Sequence, residues 1–188
     1  MKDFTEYTEV SGTEISKDQL IRMTHRYSLA YEKIIPKAKL IELCCGSGQG
    51  INLLSKKSSK LIAIDITQSL IEKAKTFESD NVKVYCSDIF DFLESIEENY
   101  ADNIILFEAI YYIKDINKLF SLAKKTLKKG GSFIISSPNP NYPGFNKSDH
   151  SFVYPDYTII EDLSLKHEFK SFNVYGYQFS SSNLISKL

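Results

Sequence analysis

The sequence of 188 residues has no tryptophan, three histidines and three cysteines, so few of its side chains could bind a transition metal. Cys44, Cys45 and Cys86 have no C-x-x-C spacing, and no histidine cluster lies beside them as a zinc site would need. Two of them are adjacent and poorly placed to pair with each other. We interpret all three as small apolar fillers and expect no metal site and no reactive thiol.

Excess charge and long apolar runs are also lacking. The formal net charge is −1, which gives no overall basic field to attract nucleic acid or an anionic membrane surface. The first ten residues lack the apolar core of a secretion signal, and no run approaches membrane-spanning length. We therefore expect a cytoplasmic protein that binds neither nucleic acid nor membrane.

Short β-branched runs alternate with helical stretches along most of the chain. Six strands are predicted, at 39–44, 60–65, 82–86, 102–108, 132–137 and 171–177. A helix with one apolar face is predicted from Ile116 to Leu127, with Asp115 as its cap and the glycines of 128–131 as its end. Because the strands are apolar throughout, the pattern predicts a parallel sheet covered by helices on both faces. The length predicts one domain over residues 1–188.

Two segments fall outside this alternation. Residues 16–35 predict a helix before the first strand, within an N-terminal segment of residues 1–37. Residues 138–155 contain four of the five prolines and have neither helical nor strand periodicity. This long loop follows the fifth strand and so leaves the carboxyl edge of the sheet, where open α/β folds bind ligands.

The turn after the first strand, LIELCCGSGQG at 40–50, predicts a ligand close to the backbone. Nicotinamide-binding folds have G-x-G-x-x-G here, but Ile51 stands at the position of the third glycine. Glu42 lies four residues before Gly46. A carboxylate at this point is a poor neighbour for a diphosphate and a good one for a cation. These residues disfavour a nicotinamide cofactor.

The E-x-x-x-G-x-G motif at Glu42 to Gly48 resembles the first motif of class I S-adenosylmethionine-dependent methyltransferases. Asp65 at the end of the second strand, Asp88 after the third and the stretch 101–139 agree with that family in order and spacing. The resemblance covers residues 38–139 and implies a Rossmann-like three-layer α/β/α sandwich with a mostly parallel sheet. It implies S-adenosylmethionine as cofactor and S-adenosylhomocysteine as product.

The resemblance also implies which residues bind the cofactor. Asp65 would accept hydrogen bonds from both ribose hydroxyls, Asp88 would bind the adenine amino group, and Ile89 would pack on the ring. The full candidate set is Glu42, Cys44, Gly46, Gly48, Asp65, Ile66, Asp88, Ile89, Phe107, Arg26 and Tyr27. Alternatives stay open, because Asp65 is shared with dinucleotide folds and Asp88 could be only a helix cap. Arg26 would hold the methionine carboxylate or lie on the surface.

The flanks resemble a subset of these enzymes from bacterial surface-polysaccharide and small-metabolite pathways. That likeness implies that 138–155 lies on the acceptor side and that Tyr7 or Tyr27 closes the pocket. Catalytic candidates are His150, as a general base near the cofactor, with Glu108 and Tyr111 at the end of the fourth strand. His150 could instead be exposed and idle, and Glu108 could serve only to satisfy loop amides.

The C-terminal region, 138–188, departs from the family pattern. About ten residues follow the predicted sixth strand, too few for the hairpin and seventh strand of the full fold. A second copy of the chain or another partner would then cover the open sheet edge. We expect transfer of a methyl group to an oxygen or nitrogen of a small metabolite or glycan precursor. The alternative is a non-catalytic cofactor-binding module or partner subunit.

Overall fold

The structure is a computed structural model, and it describes residues 16–176. Five strands form one parallel sheet in the order β3-β2-β1-β4-β5. They are β1 (Ala38–Leu43), β2 (Ser58–Asp65), β3 (Val82–Cys86), β4 (Ala101–Phe107) and β5 (Leu127–Ser136). The helices are α1 (Lys17–Lys33), α2 (Ile51–Ser55), α3 (Gln68–Ala74), α4 (Ile89–Ser95), α5 (Ile116–Thr126) and α6 (Tyr157–Lys166), with 3₁₀ helices at Lys75–Phe77 and Ile110–Tyr112.

Helices cover both faces of the sheet, as the uninterrupted apolar strands require. On one face the strand residues Ile41, Leu43 and Ile104 pack with Leu93 of α4 and Phe120 of α5. On the other face a second buried cluster joins α1, α2 and α3 to the sheet; it includes Leu40, Leu61, Ala63, Ile51 and Ile71. The Rossmann-like α/β fold with a mostly parallel sheet is therefore confirmed.

The strand register aligns the carboxyl ends of the central strands. Leu43 of β1 pairs with Ile64 of β2 on one side and with Leu106 of β4 on the other. The residues that follow these strands consequently lie at one edge of the sheet, which is where open parallel sheets bind ligands.

The N-terminal helix is confirmed as well. The Ser16 hydroxyl and the Gln19 side chain form a reciprocal capping box at the start of α1. At its other end, Nζ of Lys57 donates to the carbonyls of Tyr31 and Ile34, at 2.6 and 3.1 Å. Tyr27 and Ala30 form the buried face of the helix.

Two expectations from the sequence are wrong. Residues 171–176 contain no strand, so among the described residues the sheet ends at β5. The glycines of 128–131 do not end α5, because the helix stops at Thr126 and β5 already begins at Leu127. Gly130, with a φ of 86°, instead lies where the pairing of β4 with β5 is irregular.

Some of the residues predicted from the sequence lie outside residues 16–176, which the structure describes. Tyr7 lies outside the described residues, as do residue 177 and the final segment that follows it. Between residues 16 and 176, no helix is both long and apolar enough to cross a bilayer.

Candidate functional site

An open cleft includes the carboxyl edge of the sheet and extends along β5. Its lining includes residues from α1, from the ends of β1 to β4 and from the segment after β4. Of the residues predicted from the sequence, the cleft lining contains Arg26, Tyr27, Cys44, Gly46, Asp65, Ile66, Asp88, Ile89, Phe107, Glu108 and Tyr111. The fold therefore brings together, at one surface, most of the positions predicted from the sequence.

The turn after β1 is held in an unusual backbone conformation. Cys44, Gly46 and Gly48 all have positive φ values, of 55°, 56° and 88°. Cys44 is not a glycine, and a left-handed conformation costs about 1–3 kcal/mol for such a residue unless its surroundings fix it. The amide of Cys45 donates to the Ile64 carbonyl at 2.8 Å, which fixes the turn against β2.

Asp65 at the end of β2 links that turn to the next one. Its Oδ2 accepts from the Gly46 amide at 3.0 Å and its Oδ1 from the Thr67 amide at 2.9 Å. The residue is 7% exposed. Burial raises the pKa of the Asp65 carboxyl. The hydrogen bonds from the two amides act in the opposite direction, because they favour the ionised form. Each carboxylate oxygen can accept a second hydrogen bond, so the group can still bind ligand hydroxyls.

Glu42 in β1 is a buried carboxyl group whose two oxygens differ. Its Oε1 accepts a hydrogen bond from the Tyr27 hydroxyl at 2.7 Å, while its Oε2 is buried with no hydrogen-bond partner among the described residues. Burial raises the pKa of Glu42 to about 7, although the Tyr27 bond and the charge of Arg26 act in the opposite direction. An unsatisfied buried acceptor is costly, so the site favours a ligand that donates to it.

The ring of Tyr27 packs between α1 and the sheet. It touches Gly50 so closely that a Cβ at that position would lie 1.9 Å from Cε1 of Tyr27. The ring also meets Phe107 edge-on, with centroids 5.1 Å apart. The absence of a side chain at Gly50 is therefore what allows the Tyr27 hydroxyl to reach Glu42.

Asp88 begins α4 and is a helix cap, one of the two roles considered for it. Its Oδ1 accepts from the amide of Phe90 at 2.7 Å and from that of Asp91 at 3.4 Å. Ile89, which follows it, is 8% exposed and also lines the cleft. The cap fixes the Asp88 carboxylate at the cleft wall, next to an apolar surface.

Glu108 follows β4 and is fixed to the end of β5. It has a φ of 50°, and its amide donates to the Ser136 carbonyl at 2.9 Å. The Ser136 hydroxyl in turn donates to Oε1 of Glu108 at 2.6 Å. Ser136 was not predicted as a site residue, although its position near the carboxyl end of a predicted strand indicates this edge of the sheet.

Tyr111 and Phe145 line the cleft beyond Glu108, and Tyr154 packs against both rings. The ring of Tyr111 stacks on Tyr154 with centroids 4.4 Å apart and an angle of 18°, and Phe145 meets Tyr154 edge-on at 4.7 Å. The Phe152 amide donates to the Tyr111 carbonyl at 2.8 Å, which fixes the loop 138–155 to the segment after β4. Burial, and secondarily the charge of Glu108, raise the pKa of Tyr111, so its hydroxyl stays protonated.

Three predicted residues are not in the cleft lining. Glu42 lies beneath it, in contact with Tyr27. Gly48 packs against Phe77 in the interior: a Cβ at this position would lie 2.9 Å from Cδ2 of Phe77. His150 is exposed in the loop, one of the two possibilities considered for it, and is absent from the described lining.

The electrostatic character of the site is acidic. Glu42, Asp65, Asp88 and Glu108 all lie at or just beneath this edge of the sheet, and Arg26 supplies a positive charge near Glu42. Within residues 16–176 no group of three or more His, Cys, Asp or Glu side chains could hold a metal ion. The arrangement suits a ligand with a cationic end and sugar hydroxyls better than a diphosphate.

Comparison with known families gives one match over most of the chain. The family model described as "Methyltransferase domain" matches residues 35–176. This range begins just before β1 and includes the whole sheet, the four carboxylates of the site and the loop 138–155, while α1 precedes it.

Individual relatives are more distant. The chain is 29% identical over 132 residues to a ubiquinone biosynthesis O-methyltransferase of Rickettsia conorii, covering 66% of this chain and 45% of that protein. It is 30% identical over 101 residues to phosphoethanolamine N-methyltransferase 1 of Triticum aestivum, covering 51% of this chain and 20% of that one. The chain thus spans less than half the length of either of these two curated relatives.

The fold also matches solved structures. A SAM-dependent methyltransferase from Archaeoglobus fulgidus superposes with a TM-score of 0.67 over 80% of this chain and 68% of its own. Its identity to this chain is 18%, so the likeness concerns the fold.

Proposed function

Because the chain belongs to the methyltransferase domain family, in its class I Rossmann-like form, we propose that it transfers a methyl group from S-adenosylmethionine to a small molecule. The acceptor atom would be an oxygen or a nitrogen of a small metabolite or glycan precursor. The curated relatives include O-methyltransferases and an N-methyltransferase, so their names are compatible with either atom.

The cleft residues fit the donor on chemical grounds. S-adenosylmethionine carries an ammonium and a sulfonium group and has no phosphate. Glu42 has a buried oxygen, Oε2, that accepts no hydrogen bond from residues 16–176, and the ammonium group could supply one. Asp65 would accept from the ribose hydroxyls, Asp88 from the adenine amino group, and Ile89 would pack on the base. Arg26 would bind the methionine carboxylate.

When bound, the sulfonium group supplies an activated methyl carbon for in-line displacement. The chain's own contribution would be positioning and exclusion of water. Tyr111 and Phe145 would form an aromatic wall for the acceptor, held by the ring of Tyr154 and by the bond from the Phe152 amide to the Tyr111 carbonyl. Glu108, held by Ser136, would accept the proton of a hydroxyl acceptor. An amine acceptor would not require this step.

One observation carries the proposal. Three carboxylates lie at the carboxyl ends of three neighbouring strands: Glu42 in β1, Asp65 in β2 and Asp88 just after β3. Asp65 also accepts a hydrogen bond from Gly46 in the glycine turn after β1. Across the neighbouring strands β3, β2 and β1, the carboxylates follow in the order Asp88, Asp65 and Glu42. The adenine, the ribose and the amino-acid end of the donor would need this order.

Titration calorimetry with S-adenosylhomocysteine tests the donor site. The wild-type chain should bind it, and Asp65→Asn should bind about tenfold more weakly, because a hydrogen bond to a charged group is worth about 1.5–3 kcal/mol. Asp80→Asn, at an exposed position, is the matched control. Equal affinity in the wild type and Asp65→Asn would remove Asp65 from the ribose role.

Turnover tests the reaction. Methyl transfer from labelled S-adenosylmethionine to a panel of phenols, sugar hydroxyls and amines should produce S-adenosylhomocysteine at a rate above the background without acceptor. Binding of the product without turnover on any acceptor would favour the alternative, a non-catalytic cofactor-binding module. Light scattering of the same sample tests whether a second copy covers the edge at β5.

A further inference from the structure

The hydrogen bond between Tyr27 and Glu42 connects α1 to the floor of the cleft. The Tyr27 hydroxyl donates to Oε1 of Glu42 at 2.7 Å, and both side chains are almost fully buried, with 7% and 2% exposure. The other oxygen of Glu42, Oε2, has no hydrogen-bond partner within the described residues. One oxygen is therefore satisfied by the protein and the other is not.

Packing fixes Tyr27 in the position that makes this bond. Its ring lies against the backbone of Gly50 on one side and meets Phe107 edge-on at 5.1 Å. A buried ring held in this way has little freedom to turn, so its hydroxyl stays directed at Glu42. Tyr27, Arg26 and Asp65, which interact with Glu42, also line the cleft.

We propose that Tyr27 is a positioning residue, which holds Oε1 of Glu42 so that Oε2 is left to receive the ammonium group of the donor. The inference rests on the proposed function and adds a residue that acts through Glu42 and does not itself need to bind the donor. It gives the N-terminal helix a specific part in donor binding.

The charges around Glu42 determine how this arrangement responds to pH. Arg26 of α1 favours the ionised form of Glu42, while Asp65 at the end of β2 opposes it. The thiols of Cys44 and Cys45 in the turn stay protonated, because burial raises the pKa of both. Burial dominates at Glu42 and raises its pKa to about 7.

A cationic ligand group beside Oε2 binds the ionised form of Glu42 more tightly than the neutral form. The affinity for a ligand carrying an ammonium group should therefore rise with pH up to the pKa of Glu42 and level off above it. Without the Tyr27 hydroxyl, the ionised form loses a hydrogen bond and this rise shifts to higher pH.

The test is titration calorimetry with S-adenosylhomocysteine on Tyr27→Phe, which keeps the ring and removes the hydroxyl. If the pKa of Glu42 rises by about one unit, the affinity should be about fivefold weaker than the wild type near pH 7 and nearly equal near pH 8.5. A general loss of packing would instead weaken binding at every pH. Tyr31→Phe, the same change one turn along α1 with its ring against Lys57, should match the wild type.

5′-Methylthioadenosine separates the inference from the proposed function, because it keeps the nucleoside and lacks the ammonium group. Its affinity should not depend on pH in this range, and Tyr27→Phe should not change it. If the wild type binds neither ligand at any pH, the proposed function itself fails. If it binds both and Tyr27→Phe follows the wild type with S-adenosylhomocysteine at all pH values, Tyr27 has no positioning role.

Discussion

Glu108 and Ser136 are joined by two hydrogen bonds across the ends of adjacent strands: the Ser136 hydroxyl donates to Oε1 of Glu108, and the Glu108 amide donates to the Ser136 carbonyl. The pair fixes a carboxylate at the cleft edge even though Glu108 has a left-handed backbone, with a φ of 50°. Strained residues concentrate at functional sites because the surrounding structure can hold them there.

Glu108→Gln should lower kcat for a hydroxyl acceptor by about 10²–10³-fold, because a positioned general base contributes about 10²–10⁴-fold. The affinity for S-adenosylhomocysteine should stay unchanged. Ser136→Ala should lower kcat by a smaller factor, since it releases the carboxylate without removing it. Ser59→Ala, a serine at the amino end of β2, should behave as the wild type. An unchanged kcat in Glu108→Gln would return Glu108 to the role of satisfying loop amides.

Tyr154→Leu should raise the KM for the acceptor and leave the affinity for S-adenosylhomocysteine as it is. The stack of Tyr154 on Tyr111 is worth about 0.5–1.5 kcal/mol beyond the area it buries, and it connects the loop 138–155 to the cleft. Limited proteolysis within the loop should become faster in the same variant. If KM and proteolysis both match the wild type, the loop is held by other contacts and the aromatic wall does not bind the acceptor.

Much of this architecture could be predicted from the sequence, for clear physical reasons. The strands β1 to β4 are short apolar runs bounded by polar residues, and their observed bounds lie within two residues of the predicted ones. Glu42, Asp65 and Asp88 were predicted together from the family resemblance, and the parallel strands of the structure bring them to one edge of the sheet. The helix α1 was predicted within residues 16–35 and spans Lys17–Lys33.

What could not be predicted depends on contacts between distant residues. Residues 171–176 have the composition of a strand but no strand among the described residues pairs with them. For His150 the sequence left a position near the cofactor and an exposed position both open, because the choice depends on how the loop folds; the side chain is exposed. Likewise, the small size of Gly48 and Gly50 serves the packing of Phe77 and Tyr27, which lie elsewhere in the chain.

Gly50→Ala should destabilise the protein by about 1–3 kcal/mol, the usual cost of forcing extra volume into a packed site. The added Cβ would overlap Cε1 of Tyr27, so the ring has to move and its bond to Glu42 is lost. Urea unfolding measures the change in free energy. Gly176→Ala is the matched control, since a Cβ there meets nothing within 4 Å. Equal stability of the two variants would mean that the Tyr27 ring can move without lowering the free energy of unfolding, and that packing does not hold it in place.

The ligand-free protein should become less stable as pH rises from about 4.5 to about 7. Burial raises the folded-state pKa of Glu42 to about 7 from an ordinary value of 4.5. In this window the unfolded chain releases the proton of Glu42 while the folded chain still retains it, so deprotonation favours unfolding. Integrated over this pH window, the ionisation of Glu42 would lower the free energy of unfolding by about 3 kcal/mol.

Glu42→Gln should remove most of that pH dependence, because glutamine resembles the protonated acid and does not ionise. Urea unfolding of both proteins near pH 5 and near pH 8 measures it: the wild type should lose more stability than the variant between the two. The other carboxyl groups titrate in both proteins and cancel in the difference. If the two unfolding curves shift by the same amount between these pH values, Glu42 is ionised in the folded protein throughout. The ammonium group of the donor would then find a carboxylate already charged, and its binding would release no proton from Glu42.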